Sequence, residues 1–270
     1  MIKKIIFLLT HSAWYRRLNA KVIYEILAKQ VPAANWHFMN YGYSAYEHEK
    51  PLELPSDPHL QRYSLQMYHY LAVKTPIAGM NLLEIGSGRG GGARHIAGHL
   101  NPASYTGMDL AQNAVELANK IHQLPNLRFI QGNAEAIPVA DDSMDVVINV
   151  ESCHSYGCVK TFLKEVRRVL KPGGHLLLVD FRKVENIEEF REQLRAAGME
   201  WVEEEDITDN VVRAIEAEDD VKHGRIRELI PQRWQKLFAE FAGVVGSKMH
   251  LDFKHGGRLY CRYVLRKAAA

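Results

Sequence analysis

The sequence predicts a doubly wound α/β fold, with a seven-stranded, mostly parallel sheet, an antiparallel last strand and an added helical cap. Three observations carry that expectation. A short apolar strand at 81–85 runs into a glycine-dense turn and then a helix, all between Met80 and Ala97. Strand-like and helix-like stretches then alternate as far as Asp180, which implies right-handed crossovers and a parallel sheet covered on both faces. The chain closes with GRLYCRYVLRK, whose period of two suits an antiparallel edge strand.

The turn holds Gly86, Gly88, Gly90, Gly91 and Gly92, with a helix opening near Ala93. Glycine at this density supplies no packing, so its use is to let the backbone adopt positive φ and approach a ligand. The helix behind it aims free amides and its positive dipole end at the same place. Gly86, Gly88 and Gly91 satisfy G-x-G-x-x-G, whereas Gly86, Gly88 and Gly90 satisfy the tighter E-x-G-x-G-x-G. Glu84, two residues before the first glycine, would repel a pyrophosphate and favour an ammonium or sulfonium. SYTGMDLAQNAVELA reads as a second strand ending at Asp109, where an acid commonly binds ribose hydroxyls. Asp109 also suits a helix N-cap, because Ala111, Ala114, Val115, Ala118 and Ile121 follow at helical spacing. Both roles are compatible.

From about Met80 to Arg182 the chain resembles a class I S-adenosylmethionine (SAM) dependent methyltransferase, a Rossmann-like fold, with several motifs in order. LRFIQGNAEAIPVADDSMDVVINVESCHSY is similar to the family's third and fourth strands. Its GNAE stands where GDAE is more usual, so Asn133 takes the place of an aspartate at the adenine. An asparagine carbonyl still accepts from an adenine amino group, and Ala134 still offers its amide. FLKEVRRVLKPGGHLLLVDFR then supplies an amphipathic helix, the Lys171-Pro172-Gly173-Gly174 turn and a fifth strand ending at Asp180. Within the superfamily, Gly90-Gly91-x-x-Arg94, the MNYGY segment and ESCHSY resemble enzymes of the phthiotriol dimycocerosate, sterol and tocopherol methyltransferase type. That likeness implies a small, largely apolar acceptor. It also implies SAM as cofactor, held by Tyr41, Glu84, Gly86, Ser87, Gly88, Gly90, Asp109, Leu110, Asn133, Ala134 and Asn149.

Taken in order, residues 1 to about 30 show helical spacing (Ile5, Leu8, Leu9; Val22, Ile23, Ile26, Leu27) and read as one or two helices outside the core. NWHFMNYGYSAY, Asn35 to Tyr46, is dense in aromatics and reads either as a loop pinned by buried rings or as a flap on the SAM site. Tyr41 and Tyr43 are its candidates, because a tyrosine face attracts a sulfonium. Pro51 to Pro58 reads as an extended linker, and Leu60, Tyr63, Met67, Tyr70 and Leu71 mark a helix. The core elements follow: a strand at 81–85, a helix from about 93, a strand near 104–108, a helix from 111, strands at 127–131 and 145–150, a helix at 160–169 and a strand at 175–180. A helix with Phe190, Leu194 and Ala197 on one face stops at Gly198, and MEWVEEEDIT forms a sixth strand whose EEED run reads as a solvated edge or strand end. Residues 207 to about 250 hold two helical patterns and exceed an ordinary connection. The expected organisation is an N-terminal cap and flap (1–75), a SAM-binding core (76–206), a helical insertion (207–250) that joins the cap, and the last strand (251–270).

Composition narrows the function. The 34 basic and 32 acidic residues nearly balance, so nothing points to nucleic acid. Cys153, Cys158 and Cys261 form no metal spacing, and their odd number fits a reduced, cytoplasmic protein. No stretch approaches the roughly 18 apolar residues of a membrane span, and the apolar run Ile5 to Leu9 is too short for a signal peptide. Expected partners are therefore a small-molecule acceptor and, at most, a second copy in a homodimer.

Methyl transfer from a sulfonium is an in-line displacement, so the protein must mainly align the reactants and exclude water. For a hydroxyl acceptor, His154 in ESCHSY is the natural base, with Glu151 either supporting it or binding the ribose or acceptor; alternatively His154 is a hydrogen-bonded structural residue beside Cys153 and Tyr156. The leading function is O-methylation of a hydroxylated polyketide, lipid or phenol. C-methylation of sterol, tocopherol or quinone type is second, and a nicotinamide oxidoreductase or nucleotide-binding scaffold is third.

Overall fold

The computed structural model describes residues 37–46, 53 and 61–269. The expected helices before residue 30, most of the proline linker and Trp36 lie outside the described residues. In chain order the elements are α1 (Arg62–Ala72), β1 (Asn81–Ile85), α2 (Gly91–His99), β2 (Ser104–Asp109), α3 (Gln112–Ile121), β3 (Leu127–Gln131) and β4 (Met144–Val150). There follow α4 (Val159–Val169), β5 (Leu170–Lys183), α5 (Val184–Arg195), β6 (Glu200–Asp206), α6 (Thr208–Ala217), α7 (Asp219–Leu229), α8 (Gln232–Ala242), α9 (Lys248–Lys254) and β7 (Arg258–Arg266).

The strands form one sheet in the order β3-β2-β1-β4-β5-β7-β6, and β7 runs antiparallel to both its neighbours. Alternation along each strand sends side chains to opposite faces. Leu82 joins the core beneath α1, α2 and α6, whereas Leu83 joins the one beneath α4 and α5. Helix α4 shows why the amphipathic pattern was readable: Phe162, Leu163, Val166 and Val169 are its buried residues, one stripe of a helix otherwise charged.

Three details depart from the sequence reading. The last strand is not an edge: β7 inserts between β5 and β6, which leaves β6 outermost. The EEED run, expected at an edge or strand end, closes this outermost strand, with Glu203 and Glu205 both bonded to the fully buried Arg262 and Glu204 to Arg191 at 2.7 Å. The KPGG turn lies within β5, where pairing with β4 jumps from Met144↔Leu170 to Val146↔His175. Residues 207 to 250 hold four helices where two patterns were expected, the last reaching Lys254.

Gly91 and Gly92 do not belong to the turn. They open α2, and their lack of a side chain admits aromatic groups: a Cβ on Gly92 would lie 2.0 Å from Tyr68 Cε1, and one on Gly91 2.7 Å from the His37 carbonyl oxygen. Tyr68 is itself held, donating to Glu84 Oε1 at 2.7 Å. Gly92→Ala should therefore lose about 1 kcal/mol or more in urea unfolding, because overpacking against a fixed ring outweighs alanine's better helix propensity. An unchanged midpoint would show that the ring yields.

Candidate active site

The strand order reverses between β1 and β4, and in open parallel sheets ligands bind beyond the carboxyl ends at such a point. A cleft enclosing about 1220 Å³ of free space, open mouth included, lies there. Ten expected residues line it: Tyr41, Gly86, Ser87, Gly88, Asp109, Leu110, Asn133, Ala134, Glu151 and His154. The structure brings these together from the flap, the glycine turn and the ends of β1, β2, β3 and β4. Gly86 can sit here because its φ is +80° and a Cβ would meet Ser152 Oγ at 2.4 Å.

Glu84, Gly90 and Asn149 are outside that lining. Glu84 is fully buried and accepts from the Tyr68 and Tyr105 hydroxyls at 2.7 and 2.9 Å. Burial pushes its pKa up to about 7, against the effect of those two bonds. Gly90 is the left-handed residue that opens α2. Asn149 donates through Nδ2 to the Ile85 carbonyl at 2.9 Å and to Ser152 Oγ at 2.8 Å, bracing the ends of β1 and β4 from below. Tyr43, the flap's second candidate, stacks on Tyr70 with centroids 3.9 Å apart and also lies away from the cleft.

Asp109 is not the N-cap of α3, which is Ala111. Its carboxylate accepts from the Gly88 amide at 2.8 Å and the Ala111 amide at 2.9 Å, so it clips the glycine turn to the start of α3. Asn133 Oδ1 accepts from the Glu135 amide at 3.0 Å, which shapes the GNAE turn. Among lining residues, His37 Nδ1, Asn40 Oδ1 and Ser87 Oγ are buried polar atoms with no hydrogen-bond partner. Orphaned groups of this kind are costly unless a ligand meets them.

At the other end of the cleft His154 pairs with Asp180, a residue to which the sequence reading gave no role. His154 Nδ1 lies 2.7 Å from Asp180 Oδ1, and the carboxylate also accepts from the His154 amide at 2.8 Å, from Cys153 Sγ and from the Phe181 amide. Burial alone would raise the Asp180 pKa, but the charges of His154 and Arg182 and the bonds it accepts hold it below the usual range. Bonded to an ionised Asp180, the neutral form of the ring carries its proton on Nδ1 and its lone pair on Nε2. Glu151 sits nearby at φ +45° and accepts through one oxygen from the Tyr41 amide at 2.7 Å and the Tyr260 hydroxyl at 2.6 Å.

Residues 83–178 match the model of the methyltransferase domain family. The chain is 33% identical over 239 residues to a probable phthiotriol/phenolphthiotriol dimycocerosates methyltransferase of Mycobacterium ulcerans, covering 88% of this chain and 91% of that one. This chain belongs to the class I SAM-dependent methyltransferases. It is also 36% identical over 228 residues to a fatty-acid O-methyltransferase of Mycolicibacterium smegmatis, covering 81% of each. Among solved structures, the [4+2]-cyclase SpnF superposes with a TM-score of 0.70 at 20% identity, covering 93% of this methyltransferase and 96% of the cyclase. A geranyl diphosphate methyltransferase in complex with SAM gives 0.62 at 17% identity, covering 86% and 99%. SAM is the cofactor of this methyltransferase. Among the described residues no cluster of side chains suits a metal ion, and no helix is long and apolar enough to cross a membrane.

Burial pushes Glu151 up to about 8, against the Tyr260 and Tyr41 bonds, so the folded protein keeps a proton that the unfolded chain releases near its ordinary 4.5. The resulting stability is complete at acid pH and is lost as pH rises through about 8. Glu84 acts in the same direction. Glu151→Gln should remove its share, making unfolding free energy fall less steeply between about pH 5 and 8, by on the order of 1 kcal/mol per unit. Identical slopes in the two proteins would mean that Glu151 ionises normally in the fold.

Proposed function

We propose that this methyltransferase moves a methyl group from SAM to a hydroxyl of a small, lipid-like acceptor, with His154 as general base and Asp180 as the residue that orients it. The observation that carries the reading is the 2.7 Å contact between His154 Nδ1 and Asp180 in the wall of the cleft. A carboxylate needs no base to accept a methyl group and an alcohol does, so a histidine set in this tautomer favours an alcohol. Two relatives named for phthiotriol dimycocerosates and for fatty acids support an apolar acceptor.

The residues present fit SAM. In this reading Asp109 would hold the ribose, Asn133, Ala134 and Leu110 the adenine, and the glycine turn with Ser87 the methionyl part; all line the cleft, and the Ser87 hydroxyl lacks a partner there. Tyr41 lies against Phe181 and Phe253, its ring a face for the sulfonium. SAM, when bound, supplies an electrophilic methyl. Nε2 of His154 takes the hydroxyl proton as the acceptor oxygen gains that methyl, and Asp180 stabilises the resulting imidazolium. Cover for the reaction comes, in this reading, from segments 1–75 and 207–250 acting as one cap. Ser44 and Asn210 support it by bonding across the two segments, Ser44 N to Asn210 O at 3.1 Å and Asn210 Nδ2 to Ser44 O at 2.9 Å. All three cysteines are free, in keeping with a cytoplasmic location.

Asp109→Ala should weaken SAM binding by about 1.5 to 3 kcal/mol, the scale of charge-assisted hydrogen bonds. Calorimetry checks this, and an unchanged affinity removes Asp109 from the ribose. For the base, His154→Ala should keep SAM affinity while turnover of an aliphatic alcohol falls about a hundredfold or more. Asp180→Asn should lower turnover too, by favouring the wrong tautomer. Normal turnover of the His154 variant across neutral pH would return that residue to a structural role and leave C-methylation as the better reading.

A further inference from the structure

A second cavity, enclosing about 500 Å³ of free space with its open mouth included, adjoins the cleft, and the two share Phe38, Met39 and Asn40 as common wall. Its far side is formed by α7, which contributes Lys222, Arg225 and Ile226. Lys222 Nζ is buried there without a hydrogen-bond partner. A buried ammonium with three unused donors is among the more expensive groups a fold can retain. Burial and the like charge of Arg225 lower the Lys222 pKa against the fields of Glu218 and Asp219, and neither acid comes within ion-pair distance of it in the structure. The group is therefore held close to carboxylates but bonded to none.

The geometry points to this cavity as an anchoring subsite for a carboxylate on the acceptor, received by Lys222 with Arg225 beside it. The inference rests on the function proposed above and narrows its substrate class to hydroxy acids with an apolar body: the hydroxyl reacts at His154 while the acid end lies in the second cavity. A monoanion fits better than a phosphate dianion, because the buried Glu218 already offsets part of the positive charge of Lys222 and Arg225. Phe38 and Met39, common to both cavities, give the connecting chain an apolar path.

The test is calorimetric titration of the full chain, loaded with S-adenosylhomocysteine, with dodecanoate, dodecanol and dodecyl phosphate, followed by the same titrations on Lys222→Met. Dodecanoate should bind about tenfold or more tightly than dodecanol, the scale of a charge-assisted hydrogen bond, and Lys222→Met should erase that difference while leaving dodecanol unchanged. The variant should melt at the same temperature as the parent or higher, since an unpaired buried charge has been removed. Equal binding of acid and alcohol, retention of the acid's advantage in Lys222→Met, or tightest binding of dodecyl phosphate would each overturn the carboxylate subsite. Incubation of ω-hydroxydodecanoate with SAM separates anchoring from reaction: a methyl ether is expected, and a methyl ester would overturn the anchoring role. Failure to bind S-adenosylhomocysteine at all would instead count against the cofactor site, and the acid and alcohol would then be compared on the chain alone.

Discussion

One oxygen of Glu151 joins three parts of the molecule that are far apart in sequence. It accepts from the Tyr41 amide in the flap and from the Tyr260 hydroxyl on β7, while its own backbone directly follows β4. The Glu151 amide in turn donates to the Val179 carbonyl of β5 at 2.9 Å. The residue is held at φ +45°, a conformation costly for anything but glycine, asparagine or aspartate. Such a conformation persists only where surroundings over-determine it, and here the surroundings are the junction itself. Without that junction Tyr41 would lose the hydrogen bond that its backbone amide donates to the residue following β4.

How much of this was legible follows from the range of each signal. The glycine turn, the strand ends and the amphipathic helix α4 are local patterns with fixed periods, so the core could be read residue by residue. Gly86, Gly88, Asp109, Asn133 and Ala134 come together because each follows a strand of one parallel sheet. What escaped was long-range. Nothing near Glu84 in sequence announces Tyr105 as its partner, and nothing near His154 announces Asp180. Alternation along GRLYCRYVLRK marks a strand but not its neighbours, so it does not distinguish an inserted β7 from an edge. Tyr41 and Tyr43 were indistinguishable by composition, and only packing separates the residue facing the cleft from the one stacked on Tyr70.

The fold itself says little about chemistry. A chain named for a [4+2] cyclisation superposes on this one about as well as methyltransferases do, so the sheet and its crevice are common ground. Discrimination belongs to the side chains at the strand ends. Two of those are carboxyls that their surroundings drive in opposite directions. Asp180, next to Arg182 and His154, stays ionised, whereas Glu151 is driven toward its protonated form by burial, with the Asp180 charge adding to the effect.

That divergence matters for charge flow in the proposed reaction. Before transfer the positive charge belongs to the sulfonium; afterwards sulfur is neutral and the proton taken from the hydroxyl makes His154 cationic. The total is unchanged, so the protein has only to favour the second location over the first. Asp180 does so through its bond to Nδ1, and it is ready before reaction because Arg182, at 3.2 Å, keeps it ionised. An ionised Glu151 in the same cleft would hold a competing cation in its ground state and work against that transfer. Its burial and its protonation avoid this, which ties the residue that fixes the flap to the electrostatics of the step beside it.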